Sequence, residues 1–259
     1  MKTTLPTEIL HLVDIGNTNA TYGLAIHGRI SMVESISVNE IPEKIKICSK
    51  KGANYKNIVL IASVVPKNTE KVKSELYSRG ISEIFEIGKD IKVPLRSFYK
   101  NNEKLGIDRK IDAYGAIQPK KLPCIVFDFG TAITCDLIDE KGVFLGGLII
   151  PGPATSLKSL LSNAALLPKL FQLKRKKSQS YGRNTNECIQ NGVIQAYAAM
   201  TDGLIAKLSK ELKRKPHVII TGGFSKFIGK IIHSKAEINP AHTLQSMLKL
   251  YLAWKSNLS

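Results

Sequence analysis

Residues 12–28 read LVDIGNTNATYGLAIHG, and residues 126–142 read VFDFGTAITCDLIDEKG. In both stretches an apolar run ends in Asp, an apolar residue and Gly. A turn that carries Thr follows, and a second apolar run leads to another Gly. This pattern is typical of a β-hairpin with buried strands. The copies lie 114 residues apart, counted from Asp14 to Asp128. The repeat therefore predicts two structurally similar halves, each opened by a hairpin.

Apolar strands mix with amphipathic helices along all 259 residues, which predicts an α/β fold with mixed sheets flanked by helices. Helical spacing of apolar residues predicts helices over 108–117, within 184–212 and over 244–254. The segment from Pro119 to Pro123 is a candidate boundary because proline interrupts regular structure. We therefore expect two domains, 1–118 and 119–259.

The two turns have the composition of an anion-binding loop. Gly16 and Gly130 let backbone amides approach a ligand closely, and the hydroxyl groups of Thr18 and Thr131 can donate to phosphate oxygens. T-G-G at 221–223 follows another apolar strand and allows the same close approach. Each D-x-G could instead only end a strand. Two matching copies followed by T-G-G favour a phosphate site.

Asp14 and Asp128 end the first strand of each hairpin, where a carboxylate can hold a hard cation with its waters. Two such loops facing each other would clamp a polyphosphate and its metal. The chain has no Walker A, GxGxxG, HExxH or GxSxG motif, and its five histidines form no metal-ligand pattern. These absences argue against a P-loop kinase, a Rossmann enzyme, a zinc protease and an α/β-hydrolase.

The chain carries 38 Lys and Arg against 21 Asp and Glu, a formal net charge of +17. Much of this charge lies in residues 158–235, including basic runs at 174–177 and 213–215. No aromatic residues are interleaved with the runs, and no nucleic-acid motif accompanies them. A solvated surface is therefore expected rather than a nucleic-acid site, and no nucleic-acid partner is expected.

The sequence also bears on the compartment. No apolar stretch approaches the length of a transmembrane helix, so no membrane partner is expected. Glu8, His11 and Asp14 lie where a signal peptide would need an apolar core. The four cysteines lie far apart without a CxxC pair, which fits a reducing environment. We expect a cytoplasmic protein.

Seven motifs together resemble the type III pantothenate kinases, a branch of the superfamily of acetate kinases, sugar kinases and actin. The motifs are DIGNTN at 14–19, SVVP at 63–66, LGIDR at 105–109, DFGTA at 128–132, LGGLIIPG at 145–152, GRNT at 182–185 and TGG at 221–223. D-x-G-x-T and T-G-G alone would indicate only the superfamily. The G-x-D-R and G-x-N-T elements are much more specific to the family.

The resemblance implies two duplicated ribonuclease-H-like (actin-like ATPase) domains with ATP in the cleft between them. It implies ATP-dependent phosphorylation of pantothenate to 4'-phosphopantothenate, the first step of coenzyme A biosynthesis. By analogy Asp108 is the catalytic base, which accepts the proton of the attacking hydroxyl. The residues alone favour a different interpretation, in which Asp108 is an acid stabilised at a helix N-terminus.

The resemblance also assigns further site residues. Those implied to bind ATP are Asp14, Ile15, Gly16, Asn17, Thr18, Asn19, Ala20, Thr21 and Thr131. Those implied to bind pantothenate are Tyr99, Gly106, Ile107, Asp108, Arg109 and Thr185. Asp128 is implied to hold a monovalent cation, K+ or NH4+, and Asp14 to lie near Mg2+. The family is dimeric with its substrate pocket at the subunit interface, so a homodimer is implied.

Two rival functions remain open from the sequence. The first is another small-molecule kinase of the same superfamily, acting on a sugar or a carboxylic acid. The second is a non-catalytic regulatory or nucleic-acid-binding relative, which the net charge of +17 suggests. The G-x-D-R and G-x-N-T elements argue against the first, and the three acids Asp14, Asp108 and Asp128 argue against the second. One departure from the family lies at Asn102, where proline is usual.

Overall fold

A computed structural model describes residues 7–45, 55–164, 166–168, 173 and 179–258 of the chain. The basic run at 174–177 and Cys48 lie outside these residues. The chain divides into two compact units. The first contains the described residues up to Leu95, Asn101–Gly115 and those from Ala241 onward. The second contains Arg96–Lys100 and Ala116–Pro240.

The first unit is built on a five-stranded sheet with the strand order β3-β2-β1-β4-β5. Its strands are β1 (Thr7–Ile15), β2 (Ala20–Ile26), β3 (Arg29–Ile36), β4 (Tyr55–Ser63) and β5 (Ile84–Glu86). Its helices are α1 (Ile41–Lys44), α2 (Pro66–Ser78), most of α3 (Ile107–Ile117) and α7 (His242–Ser256), with 3-10 turns at Val38–Glu40 and Asn102–Lys104. β1 pairs antiparallel with β2 and parallel with β4.

Helices cover both faces of this sheet, and β1 is therefore apolar on both sides. Leu10 and Leu12 belong to a core cluster that includes residues of α3 and α7. Val13 and Ile15 point to the opposite face, in a cluster that includes residues of α1 and α2. Because side chains alternate along a strand, the near-continuous apolar run of β1 fills both cores.

The second unit repeats this plan with the strand order β10-β9-β6-β7-β8. Its strands are β6 (Cys124–Phe129), β7 (Ala132–Ile138), β8 (Phe144–Pro151), β9 (His217–Thr221) and β10 (Glu237–Ile238). Its helices are α4 (Pro153–Asn163), α5 (Thr185–Glu211) and α6 (Ser225–Ile228). β6 pairs antiparallel with β7 and parallel with β9, just as β1 pairs with β2 and β4. The predicted duplication is confirmed strand by strand, as is the α/β class.

Most predicted elements are confirmed within a few residues, including α3, the long helix α5 and the last helix α7. β3 was not predicted from the sequence, because it is an edge strand whose mostly exposed residues lack a buried pattern. Packing also groups α7 with the first unit, whereas the predicted domains 1–118 and 119–259 are contiguous in sequence. α7 joins the first unit because its apolar side chains complete the core over β1 and β4. The boundary near 118 stays a prediction.

In the residues that the structure describes, no helix combines the length and apolarity needed to cross a membrane.

Candidate active site

The first candidate loop is the turn between β1 and β2. The backbone amide of Gly16 donates to the carbonyl oxygen of Asn19 at 3.1 Å, which closes the turn. Asn17 and Thr18 are exposed between them. Exposed amide and hydroxyl groups of this kind can donate hydrogen bonds to an anion. The turn therefore lies where the sequence predicts it, and its binding of phosphate stays a prediction.

The residues flanking this turn differ from it in burial. Ile15 and Ala20 are buried in the core between the sheet and α2, so only their backbone atoms can face a ligand. Asp14 and Thr21 are opposite each other in the β1–β2 register, and both are half-buried. This pair offers one carboxylate and one hydroxyl group at the base of the turn.

The second candidate loop joins β6 to β7 and is held by the start of α4. The carbonyl oxygen of Thr131 accepts hydrogen bonds from the Gly152 amide at 3.0 Å and from the Thr155 hydroxyl at 2.6 Å. A Cβ atom at position 152 would lie 2.6 Å from that carbonyl oxygen. Gly152 is therefore required for the close approach of α4 to the loop. This explains the glycine that ends the LGGLIIPG motif.

The two hairpins are similar in their strands and different in their turns. Asp128 is opposite Thr134, as Asp14 is opposite Thr21. The turn has three residues between the paired Phe129 and Ile133, one fewer than the four between Ile15 and Ala20. Thr134 was not predicted from the sequence, because its equivalence to Thr21 depends on the pairing of the strands. Pairing across the strands identifies it as the counterpart of Thr21.

The T-G-G turn packs directly on Asp128. Thr221 ends β9 opposite Asp128 in the parallel register. Gly222 has a φ of 87°, in the left-handed region that favours glycine. A Cβ atom at this position would overlap the Oδ1 atom of Asp128 and lie 2.6 Å from the amide nitrogen of Phe129. The glycine thus makes room for the Asp128 carboxylate.

Asp108 lies in the first turn of α3, where its carboxylate faces back over Gly106. Its Oδ1 atom accepts a hydrogen bond from the amide of Arg109 at 2.8 Å. A Cβ atom at position 106 would overlap this oxygen. Burial raises the pKa of Asp108 above its ordinary value, although the amide and the positive charge of Arg109 partly oppose the shift. A carboxylate of raised pKa is a stronger base.

The other predicted pantothenate residues are distributed over both units. Arg109 and Ile107 belong to the first unit, and Arg109 is only 6% exposed. Tyr99 belongs to the second unit, where its ring packs edge-on against Phe144 with the ring centroids 6.2 Å apart. The Tyr99 amide also donates to the Ser97 hydroxyl at 3.0 Å. Tyr99 is therefore fixed by its own unit.

The G-x-N-T motif forms the N-terminus of α5. Asn184 caps the helix, because its side-chain oxygen accepts a hydrogen bond from the Glu187 amide at 3.0 Å. Gly182 packs against the backbone of the first turn, and a Cβ atom there would lie 2.7 Å from the Cβ of Glu187. Thr185 is the exposed first residue of the helix. The motif thus places the Thr185 hydroxyl on a capped helix end.

The candidate cation ligands are single carboxylates. Among the residues that the structure describes, no group of three or more His, Cys, Asp or Glu side chains could hold a metal ion. Asp14 and Asp128 belong to different units, and both are half-buried at strand ends. Mg2+ commonly takes only one or two protein carboxylates and completes its coordination with water and phosphate. The donor set fits a cation that a bound nucleotide shares.

The duplicated sheets define the actin-like ATPase fold. A Baf family protein from Campylobacter jejuni superposes with a TM-score of 0.62 and 22% identity, covering 95% of this chain and 99% of that protein. MreB5 of Spiroplasma citri bound to AMPPNP superposes with a TM-score of 0.51 and 13% identity, covering 97% and 98%. Both likenesses concern the fold alone.

The chain belongs to the type III pantothenate kinase family, whose family model matches residues 10–207. It is 35% identical to the type III pantothenate kinase of Persephonella marina, over 84% of this chain and 88% of that protein. It is 31% identical to that of Bacillus cytotoxicus, over 94% and 95%. The family-model match includes the Asp108 region and both loops, so the resemblance drawn from the motifs is confirmed.

Proposed function

We propose that this protein transfers the γ-phosphoryl group of ATP to the primary hydroxyl group of pantothenate, the first step of coenzyme A biosynthesis. Membership of the type III pantothenate kinase family supports the reaction. The observation within the structure that carries the proposal is Asp108, a half-buried carboxylate at the start of α3 whose pKa is raised. A kinase that phosphorylates an alcohol needs such a base beside the hydroxyl.

Asp108 accepts the proton of the pantothenate hydroxyl as that oxygen attacks the γ-phosphorus atom. The O–P bond to the new acceptor forms while the bond to the β-phosphate bridging oxygen breaks, and ADP leaves. Because phosphoryl transfer requires little covalent work from the protein, most of the catalysis comes from positioning and charge neutralisation. Tyr99, Arg109 and Thr185 hold pantothenate in this proposal, and the Arg109 guanidinium suits its carboxylate.

ATP binds through the two loops. The turn from Gly16 to Asn19, which is exposed from Asn17 onward, and the exposed Thr131 would present amide and hydroxyl groups to phosphate oxygens. Thr21 and its counterpart Thr134 add one hydroxyl group at the base of each loop. Support for a nucleotide comes from the fold, which a nucleotide-bound MreB5 shares.

Two cations complete the proposed site. Asp14 would hold Mg2+ together with the nucleotide, and Asp128 would hold K+ or NH4+. A cation neutralises the charge that develops on the phosphates during transfer. The carboxylate of Asp128 has a position defined by Gly222, which leaves no room for a side chain there. Such a fixed, half-buried carboxylate suits a weakly bound monovalent ion.

A homodimer in the cytoplasm is the proposed working form. β8 is an edge strand with large apolar side chains exposed, among them Ile149 at 66%. The amide of Phe98 donates a hydrogen bond to the Phe144 carbonyl at the start of β8. The Phe98 side chain is 72% exposed. Exposed apolar edge strands commonly mark interfaces. Ile149→Lys should shift the sedimentation coefficient to that of the monomer, and an unchanged value would place the interface elsewhere.

The function is tested by phosphoryl transfer from ATP to pantothenate and to a panel of other hydroxy acids and sugars, each with and without K+. We expect turnover of pantothenate well above the rest of the panel. Faster turnover of another acceptor would favour a different small-molecule kinase of the superfamily. Absence of turnover with every acceptor would favour a regulatory relative.

A further inference from the structure

The C-terminal helix α7 is joined to the helix that carries Asp108. His242 is the first residue of α7 and is 5% exposed. Its Nε2 atom lies 2.9 Å from the backbone carbonyl oxygen of Asp112 in α3. A carbonyl oxygen can only accept a hydrogen bond, so Nε2 carries the proton. This donor reaches α3 one helical turn after Asp108.

One turn further along both helices, the backbones approach more closely than a side chain would allow. A Cβ atom on Gly115 would lie 2.6 Å from the Cβ of Ser246 and would overlap its Oγ atom. The Ser246 hydroxyl donates to the His242 carbonyl at 2.7 Å, so it is held on α7 and does not move aside freely. Gly115 is thus required by the distance between the helices.

Apolar packing fixes α7 in turn to the central sheet. Leu244 and Met247 of α7 share one buried cluster with Ile111 and Tyr114 of α3 and with Leu12 of β1. Because side chains in a protein interior are closely packed and have few alternative arrangements, a shift of α7 would displace α3. The polar contact of His242 and the close contact at Gly115 therefore set both the distance and the axial position of α3.

We propose that His242, together with the Gly115–Ser246 contact, positions α3 so that the Asp108 carboxylate meets the acceptor hydroxyl. This inference rests on the proposed kinase function. His242 is a positioning residue, since it acts through the Asp112 carbonyl and one turn of helix. The C-terminal helix α7 thereby contributes to catalysis, although it contains none of the seven motifs that indicate the family.

The first experiment compares His242→Leu with His242→Gln. Leucine keeps the bulk and loses the donor, whereas the glutamine amide can still donate to the Asp112 carbonyl. We expect His242→Leu to lower kcat by about ten- to a hundredfold, as small displacements of catalytic groups do, with little change in KM for ATP. His242→Gln should retain a kcat within about threefold of the wild-type value. A kcat in His242→Leu equal to wild type, with only thermal stability reduced, would overturn the proposal.

A second experiment uses the close contact and stays informative if His242→Leu does not fold. Gly115→Ala should lower kcat because the new methyl group forces the helices apart. The double variant Gly115→Ala with Ser246→Gly removes the opposing Cβ and should recover most of kcat. Gly115→Ala with Ser246→Ala keeps that Cβ and should not recover. Equal kcat values for the two double variants would overturn the proposal, and Ser246→Gly alone provides the baseline.

A readout without turnover separates this inference from the proposed function. The pKa of Asp108 can be measured by NMR on protein labelled with carbon-13 at aspartate. In His242→Leu the carboxylate should become more solvated and its pKa should fall toward the ordinary value, while His242→Gln should match wild type. An unchanged pKa in His242→Leu contradicts the positioning role. Lack of pantothenate turnover in wild type contradicts only the function.

Discussion

The carboxylate of Asp108 lies so close to Gly106 that a Cβ atom at position 106 would overlap its Oδ1 atom and force the carboxylate to shift. The same carboxylate oxygen accepts a hydrogen bond from the Arg109 amide, which holds the side chain at the helix start. The glycine of G-x-D-R is thus explained by the space that its own aspartate occupies. Gly106 therefore has a structural role that does not require direct contact with the substrate.

Gly106→Ala should therefore displace Asp108 and lower kcat by about a hundredfold, the effect expected of a misplacement near 1 Å. Steady-state kinetics with pantothenate would measure it. Gly192→Ala is the matched control, because a Cβ atom on this exposed helical glycine meets no atom within 4 Å. Unchanged kcat in Gly106→Ala would show that the carboxylate finds an equally productive position.

Asp108→Asn should lower turnover by orders of magnitude while ATP binding stays largely intact, because the amide cannot accept the proton. Calorimetric titration with ATP and a turnover assay would separate the two effects. In wild type, activity should fall as the pH drops through the raised pKa of Asp108, since only the ionised form is a base. Near-normal turnover of Asp108→Asn would remove this residue as the base.

Asp128→Asn should abolish activation by K+ or NH4+, because an amide lacks the charge that attracts the cation. The measurement is the rate as a function of KCl at constant ionic strength, with NaCl as the balancing salt. Thr134→Val is a useful comparison, since it removes a neighbouring hydroxyl and leaves the carboxylate in place. A full rate for wild type in sodium alone would contradict the assignment of Asp128.

Acid should destabilise the protein through His11. Its Nε2 donates to the Asn57 side-chain oxygen at 3.2 Å, and its Nδ1 accepts from the Tyr22 hydroxyl at 2.9 Å. Burial lowers the pKa of His11, while the Asn57 hydrogen bond partly opposes the shift. The unfolded chain therefore binds a proton at a higher pH than the folded chain does. This contribution to stability is complete above about pH 6.5 and is lost as the pH falls toward the folded pKa.

The test of His11 is the free energy of unfolding in urea between about pH 4 and pH 8, a range that brackets the ordinary histidine pKa. His11→Gln should flatten the pH dependence around pH 6, a value near that pKa. Identical slopes in His11→Gln and wild type would show that His11 does not cause the acid sensitivity.

Gly203→Ala should stabilise the protein by about 0.5–1 kcal/mol, the difference between glycine and alanine inside a helix. Gly203 lies within α5, is exposed, and has no atom within 4 Å of an added Cβ. Denaturation in urea would measure the gain. A loss of stability would indicate that a partner, such as a second subunit, packs closely against this position.

Local patterns explain why so much of the architecture could be predicted. Strand alternation, strand-ending D-x-G and helical spacing depend on near neighbours in the chain, so the two hairpins and helices α3, α5 and α7 were expected from the sequence. β3 was missed because an exposed edge strand has no buried periodicity. Thr134 was missed because its equivalence to Thr21 depends on pairing across the strands.

The sequence by itself determined the α/β class, the duplication, the family and the identities of the charged candidates. Only the tertiary structure decided which atoms a side chain at Gly106 or Gly222 would meet, how burial alters the pKa of Asp108, and where α7 packs. The reason is physical. The desolvation of a carboxylate and the contact of His242 with the Asp112 carbonyl depend on atoms far apart in the chain, and such contacts exist only after folding.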